Sequence, residues 1–153
     1  MSKKSLFFSL VIIVISVLSV FFASSSSPDS SYRRATVTLG KTPFTALVSD
    51  TEALRELGLS GHSPLGPRQA MLFVFDKPDM VGFWMKDMKF SLDIVWIGAD
   101  MRVISFVEGV SPQSYPTIYY PERPSQYVVE LPAGALATTG LRKGDTVSIA
   151  GGK

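Results

Sequence analysis

The sequence predicts a mainly β fold, a small barrel or highly curved sheet with two short helices, preceded by one N-terminal transmembrane helix. Three observations lead there. Short runs rich in β-branched and aromatic residues recur after residue 35, each bounded by Gly, Pro, Asp or Ser. Seven or eight such strands in one open sheet would leave edges to protect, which closure or strong curvature avoids. Residues 6–23, by contrast, contain neither a charge nor a proline. A two-layer α+β arrangement is the alternative for the same elements.

The apolar run comes first. Its 18 residues make about 27 Å of helix at 1.5 Å per residue, close to the ~30 Å hydrocarbon thickness of a bilayer. Lys3 and Lys4 precede it, and positive charge kept inside orients the rest of the chain outward. The expected arrangement is a single-pass protein of the cytoplasmic membrane with an extracytoplasmic C-terminal domain. Ala23 and Ser25 offer an A-x-A-like cleavage site, so a cleaved signal peptide and a secreted or periplasmic product is the alternative. The organisation is then anchor or signal at 1–23, Ser-rich linker at 24–34, one globular domain at 35–150 and a tail at 151–153.

Within the domain, residues 35–39 and 44–48 read as strands around a turn at 40–43. Ser49 and Glu52 have capping-box spacing for a short helix that Gly58 can end, with Leu54 and Leu57 facing the core. Residues 58–67 hold three glycines and two prolines, so they form a loop, and that loop carries His62. The continuous apolar run 71–75 predicts a strand covered on both faces. A turn at 76–79 and a strand at 81–85 would complete a hairpin. Residues 92–97 and 102–107 form a clearer hairpin around Gly98, Ala99 and Asp100. Residues 115–120 lie among prolines and are irregular. The strand at 126–131 places Tyr127, Val129 and Leu131 on one face. A short helix at 133–139, closed by Gly140, and a strand at 146–149 finish the chain.

Composition removes several function classes. The net charge of +2 is carried by Lys3 and Lys4; without them the 15 basic residues fall to 13, which match the 13 acidic ones. A neutral folded part argues against a nucleic-acid partner. One histidine and no cysteine leave no ligand set for structural zinc or for a disulfide framework. Asp76 and Asp79 do not make a calcium loop, and neither nucleotide-binding glycine motif occurs. No metal and no cofactor are expected. Gly58-Leu59-Ser60-Gly61 lacks the spacing of a nucleophile elbow, which makes His62 an exposed loop residue rather than a member of a triad.

Several blocks carry a resemblance. Met71-Leu-Phe-Val-Phe-Asp, Phe83-Trp-Met-Lys-Asp-Met, Leu92-Asp-Ile, Tyr127-Val-Val-Glu-Leu-Pro-Ala-Gly and Gly144-Asp-Thr-Val together resemble the domain of unknown function 192 family, also called uncharacterised ACR, over residues 44–149. The resemblance implies a compact, mainly β domain, often behind a signal or anchor segment, in bacteria and archaea. It implies no activity. This chain departs from the family's usual pattern at Gly58-Leu59-Ser60-Gly61-His62, where Gly-Leu-Met and then an arginine are common, and at Ser91, where a proline is usual.

Two clusters are candidate sites. Asp93 interrupts an apolar strand, and a buried charge there needs a partner. Lys86 at a nearby strand end is one candidate and backbone donors are another. Trp84, Lys86, Asp87 and Asp93 would then outline a polar pocket for an anionic or carbonyl-bearing ligand, walled by Phe83, Trp84 and Phe90, or else a structural ion pair. Tyr115, Tyr119 and Tyr120, set among prolines, form either a recognition surface or a cover over one barrel end. The expected function is a module that binds a small ligand or an envelope protein through Trp84, Lys86, Asp87, Asp93, His62, Tyr115 and Tyr119. An envelope enzyme using Lys86 and Asp93 is the alternative.

Overall fold

A computed structural model of the chain describes residues 32–151. The expected membrane helix at 6–23 lies outside them. Among the described residues no helix is long and apolar enough to cross a membrane.

One mixed sheet of seven strands organises these residues. Strands β1 (Arg33–Leu39) and β2 (Thr42–Ser49) form the first hairpin. Their turn requires glycine twice over, because Gly40 has φ +61° and a Cβ there would sit 2.6 Å from the Thr139 carbonyl oxygen. Helix α1 (Glu52–Leu57) follows. Its cap is Thr51, whose hydroxyl accepts from the Leu54 amide at 3.3 Å, and not Ser49, which ends β2 and is fully buried. Leu54 packs on the core as expected, whereas Leu57 is exposed.

The chain then crosses over to β3 (Gln69–Asp79), parallel to β2. Strands β4 (Leu92–Ile97) and β5 (Val103–Val110) make the expected hairpin, β6 (Ser125–Pro132) inserts between β4 and β3, and β7 (Ser148–Gly151) borders β1. The spatial order is β5-β4-β6-β3-β2-β1-β7. Two 3-10 turns, Pro112–Ser114 and Leu136–Thr138, supply further helical structure; the second stands where a helix at 133–139 was expected.

Strand alternation sends side chains to two cores, one on each face. Val37, Phe44, Leu72, Val95, Val103, Val129 and Leu131 meet on the inner face, to which strands from both ends of the sheet contribute. Met71, Phe73, Ile94, Trp96 and Val128 point to the outer face, where residues 59, 83 and 85 cover them. The apolar run of β3 is continuous because both of its faces are buried.

The curvature brings the two ends of the sheet close without closing a barrel. Arg102 and Thr146 make a single isolated bridge, supported by the Val147 amide on the Met101 carbonyl at 2.9 Å. The chain then leaves to pair with β1 as β7. The expected strand at 81–85 is also absent. β2 and β6 already flank β3 over residues 71–73, the part with which a hairpin across 76–79 would have paired. Residue 83 instead bridges Tyr119 alone, and β3 itself runs on through the expected turn to Asp79.

Candidate functional site

The outer face carries a cleft of about 800 Å³ between α1 and the segment around Trp84. Arg55 comes from α1, Phe73 and Phe75 from β3, Trp84 and Lys86 from the facing segment, and Glu130 from β6. The two walls are tied together at one end, where the Ser60 hydroxyl donates to the Lys86 carbonyl at 3.2 Å. That bond engages Ser60 away from His62.

Glu130 lies on the sheet beneath the cleft. Its register neighbours are Met71 on β3 and Ile94 on β4, so it is a carboxyl group set in an apolar face. Only 6% of its surface is exposed, its Oε2 has no hydrogen-bond partner, and burial pushes its carboxyl up from about 4.5 to about 8. At neutral pH it is a protonated acid, able both to donate and to accept.

Arg55 is anchored on one side. Its Nη1 donates to the carbonyls of Asp50 at 2.8 Å and Val74 at 2.9 Å, and its guanidinium lies 5.2 Å from the Phe75 ring centre. Among the described residues the other nitrogens have no hydrogen-bond partner. On the opposite wall Trp84 is half exposed, with the Lys86 ammonium 5.9 Å from its ring centre and Tyr115 edge-on at 6.0 Å. Asp87 adopts φ 58°, a left-handed conformation that aspartate tolerates better than most residues.

Thus Trp84, Lys86 and Asp87 come together in one cleft with Tyr115 beside them. Asp93 does not join them. It sits on the inner face, fully buried, where Oδ1 accepts from the Gly109 amide at 2.8 Å and Oδ2 from the Leu136 amide at 2.9 Å. Of the two expected partners, the backbone donors are the ones observed, and Lys86 is exposed on the other side of the sheet. Strand alternation explains the separation, since residues 92, 94 and 96 face outward and 95 and 97 inward.

His62 is not the exposed loop residue that the glycines and prolines around it predict. It is 9% exposed and packs edge-on against Tyr32 at 5.8 Å. Tyr119 is held by its bridge to Phe83 and packs on the outer core, as does Phe90. Tyr115, Ile118 and Tyr120 are exposed. Among the described residues no group of three acids or histidines is placed to hold a metal ion.

Glu130 and Arg55 are the site residues that sequence reasoning passes over. Glu130 carries the same signal that singled out Asp93, an acid inside an apolar strand, in the segment Val-Val-Glu-Leu. Arg55 carries none, because an arginine in a short amphipathic helix reads as solvated until β3 is seen to approach it.

Fold and cleft together define a small mainly β domain with a single curled sheet and a polar cleft on its convex side. The chain belongs to the uncharacterised ACR family, the domain of unknown function 192, whose model matches residues 35–149. No curated protein matches it. It is similar to the crystal structure of a candidate transcription regulator from Sinorhizobium meliloti 1021, at 28% identity and a TM-score of 0.70, over 77% of this chain and 95% of that one. A protein of unknown function from Novosphingobium aromaticivorans DSM 12444 is similar at 30% identity and a TM-score of 0.68, over 75% and 83% of the two chains.

Proposed function

We propose that this chain is an extracytoplasmic ligand-binding module, held at the membrane by residues 6–23, whose ligand enters the cleft between α1 and Trp84. One observation carries the reading: Glu130 lies at the base of a concave, aromatic-walled cleft with a buried oxygen that the fold leaves without a partner. Burying a polar group unsatisfied costs folding free energy. Perturbed carboxyl groups in clefts are frequent at functional sites, and a protonated acid lining one offers a ligand both a donor and an acceptor.

The enzyme alternative needs Lys86 and Asp93 around one cleft. Their placement on opposite faces, with both Asp93 oxygens committed to amides, favours the binding module over that pairing. The regulator description of the S. meliloti protein has no support in a folded part whose charges balance. A second reading does have an observation behind it: the exposed rings of Tyr115 and Tyr120 with Ile118 would suit an envelope protein partner.

Fragment screening of the full chain in detergent by amide and indole chemical shifts tests the proposal. The expected outcome is a cluster of shifts at Gly58, Trp84 and Asp87. Shifts confined to Tyr115 and Tyr120 would move the function to the partner surface, and a screen without hits would reject the cleft. The anchor is tested by N-terminal sequencing of membrane-fractionated protein, where a start at 24–26 would replace it with a cleaved signal.

A further inference from the structure

We infer that the cleft takes a small organic oxyanion, held between the Arg55 guanidinium on one wall and the Glu130 carboxyl group at the base. The inference rests on the cleft reading above and adds the chemical class of its ligand.

Three observations converge on that class. The Arg55 guanidinium is fixed through Nη1 by two backbone carbonyls and lines the cleft, and Nε and Nη2, the pair whose fork geometry suits carboxylates and phosphates, are left uncommitted among the described residues. Lys86 adds a second cation from the opposite wall. Glu130, the carboxyl group at the base, is held protonated by burial. It therefore does not repel an anion and has a proton to donate. A carboxylic acid kept neutral in an apolar site so that it can donate is a known device for binding oxyanions.

The competing class is an amine held by Glu130 in its ionised form. Two features oppose it. The Phe75 and Trp84 rings, which would cage an ammonium group, already carry Arg55 and Lys86 at 5.2 and 5.9 Å. A cation entering between the two rings would also sit between the Arg55 guanidinium and the Lys86 ammonium. The other charged groups lining the cleft are Glu52 and Glu56 on α1 and Asp87 beside Trp84; β3 and β4 oppose Glu130 with the non-ionising Met71 and Ile94. Those three carboxylates outnumber the two cations, so the anion is selected by the Arg55 fork and the Glu130 proton rather than by net charge, and its affinity is modest.

The two classes predict opposite responses to pH. An oxyanion needs the protonated acid, so its affinity falls as pH rises through about 8, where Glu130 ionises. An amine gains over the same interval. The test titrates the full chain in detergent with benzoate, phenyl phosphate, benzylamine and benzyl alcohol at pH 6.5 and 9. The indole N–H shift of Trp84 is the readout, and the buried indole of Trp96, bonded to the Val81 carbonyl, is the internal control.

Benzoate or phenyl phosphate is expected to bind about tenfold more weakly at pH 9, and their comparison assigns carboxylate or phosphate. Arg55→Gln should weaken the bound probe at least tenfold. Glu130→Gln, which mimics the protonated acid, should keep binding and flatten the pH response. Binding of benzylamine or benzyl alcohol without either anion would overturn the oxyanion inference and leave the cleft reading standing. Binding by none of the four would remove both.

Discussion

Two carboxyl groups buried in neighbouring central strands have opposite fates in this fold. Asp93 on β4 faces the inner core and is satisfied at both oxygens, by the amides of Gly109 and Leu136. Glu130 on β6 faces the outer side, lines the cleft and keeps an oxygen without a partner. The difference teaches that burial alone does not mark a functional acid. Asp93 ties the β5 end and the 3-10 turn at Leu136 onto β4, which is structural work, while Glu130 ties nothing and carries a strongly raised pKa.

The largest expected effect comes from that raised pKa. Because the folded chain holds the Glu130 proton more tightly than the unfolded one, its contribution is fully present below about pH 4.5 and is lost as pH rises to about 8. The full loss should be on the order of 5 kcal/mol at about 1.4 kcal/mol per pH unit. Urea denaturation at pH 5 and pH 9 measures it. Glu130→Gln should be as stable as the parent at pH 5 and clearly more stable at pH 9; a parent with equal stability at both would mean that Glu130 has a partner.

Next in size is Asp93→Ala, which strands the buried Leu136 amide and the part-buried Gly109 amide and should cost about 2 to 4 kcal/mol. Asp93→Asn keeps one acceptor and turns a donor toward the other amide, so it should fall between alanine and the parent. An alanine loss under about 0.5 kcal/mol, the scale of surface changes, would make the contrast between the two acids collapse.

The smallest effect is that of Lys86→Ala. An exposed lysine lying over Trp84 contributes little to folding, so its removal should change stability by less than about 0.5 kcal/mol. A loss comparable to that of Asp93→Ala, measured in the same urea titrations, would restore the Lys86–Asp93 pair.

Much of this contrast is legible in the residues. Asp93 is conspicuous in Leu-Asp-Ile-Val, and backbone donors were among its expected partners. Glu130 stands in an equally apolar setting, yet attention to Tyr127, Val129 and Leu131 as one face leaves the other face unread. Arg55 and His62 were not legible. The first acquires its role from the Val74 carbonyl and the Phe75 ring, and the second is buried by Tyr32, contacts that span many residues of sequence.

By itself, the sequence determined what local chemistry can determine. The period of the apolar residues set the strands and their faces, the turn residues set the β1–β2 and β4–β5 hairpins, and the family blocks set membership. Only the tertiary structure decided that residues 81–85 find no strand to join, that the sheet stops short of a closed barrel, and that Asp93 and Glu130 lie back to back. The physical reason is that strand pairing is a competition for edges. β6 fills the place beside β3 from fifty residues away, and neither propensity nor spacing within a segment records which distant strand will win it.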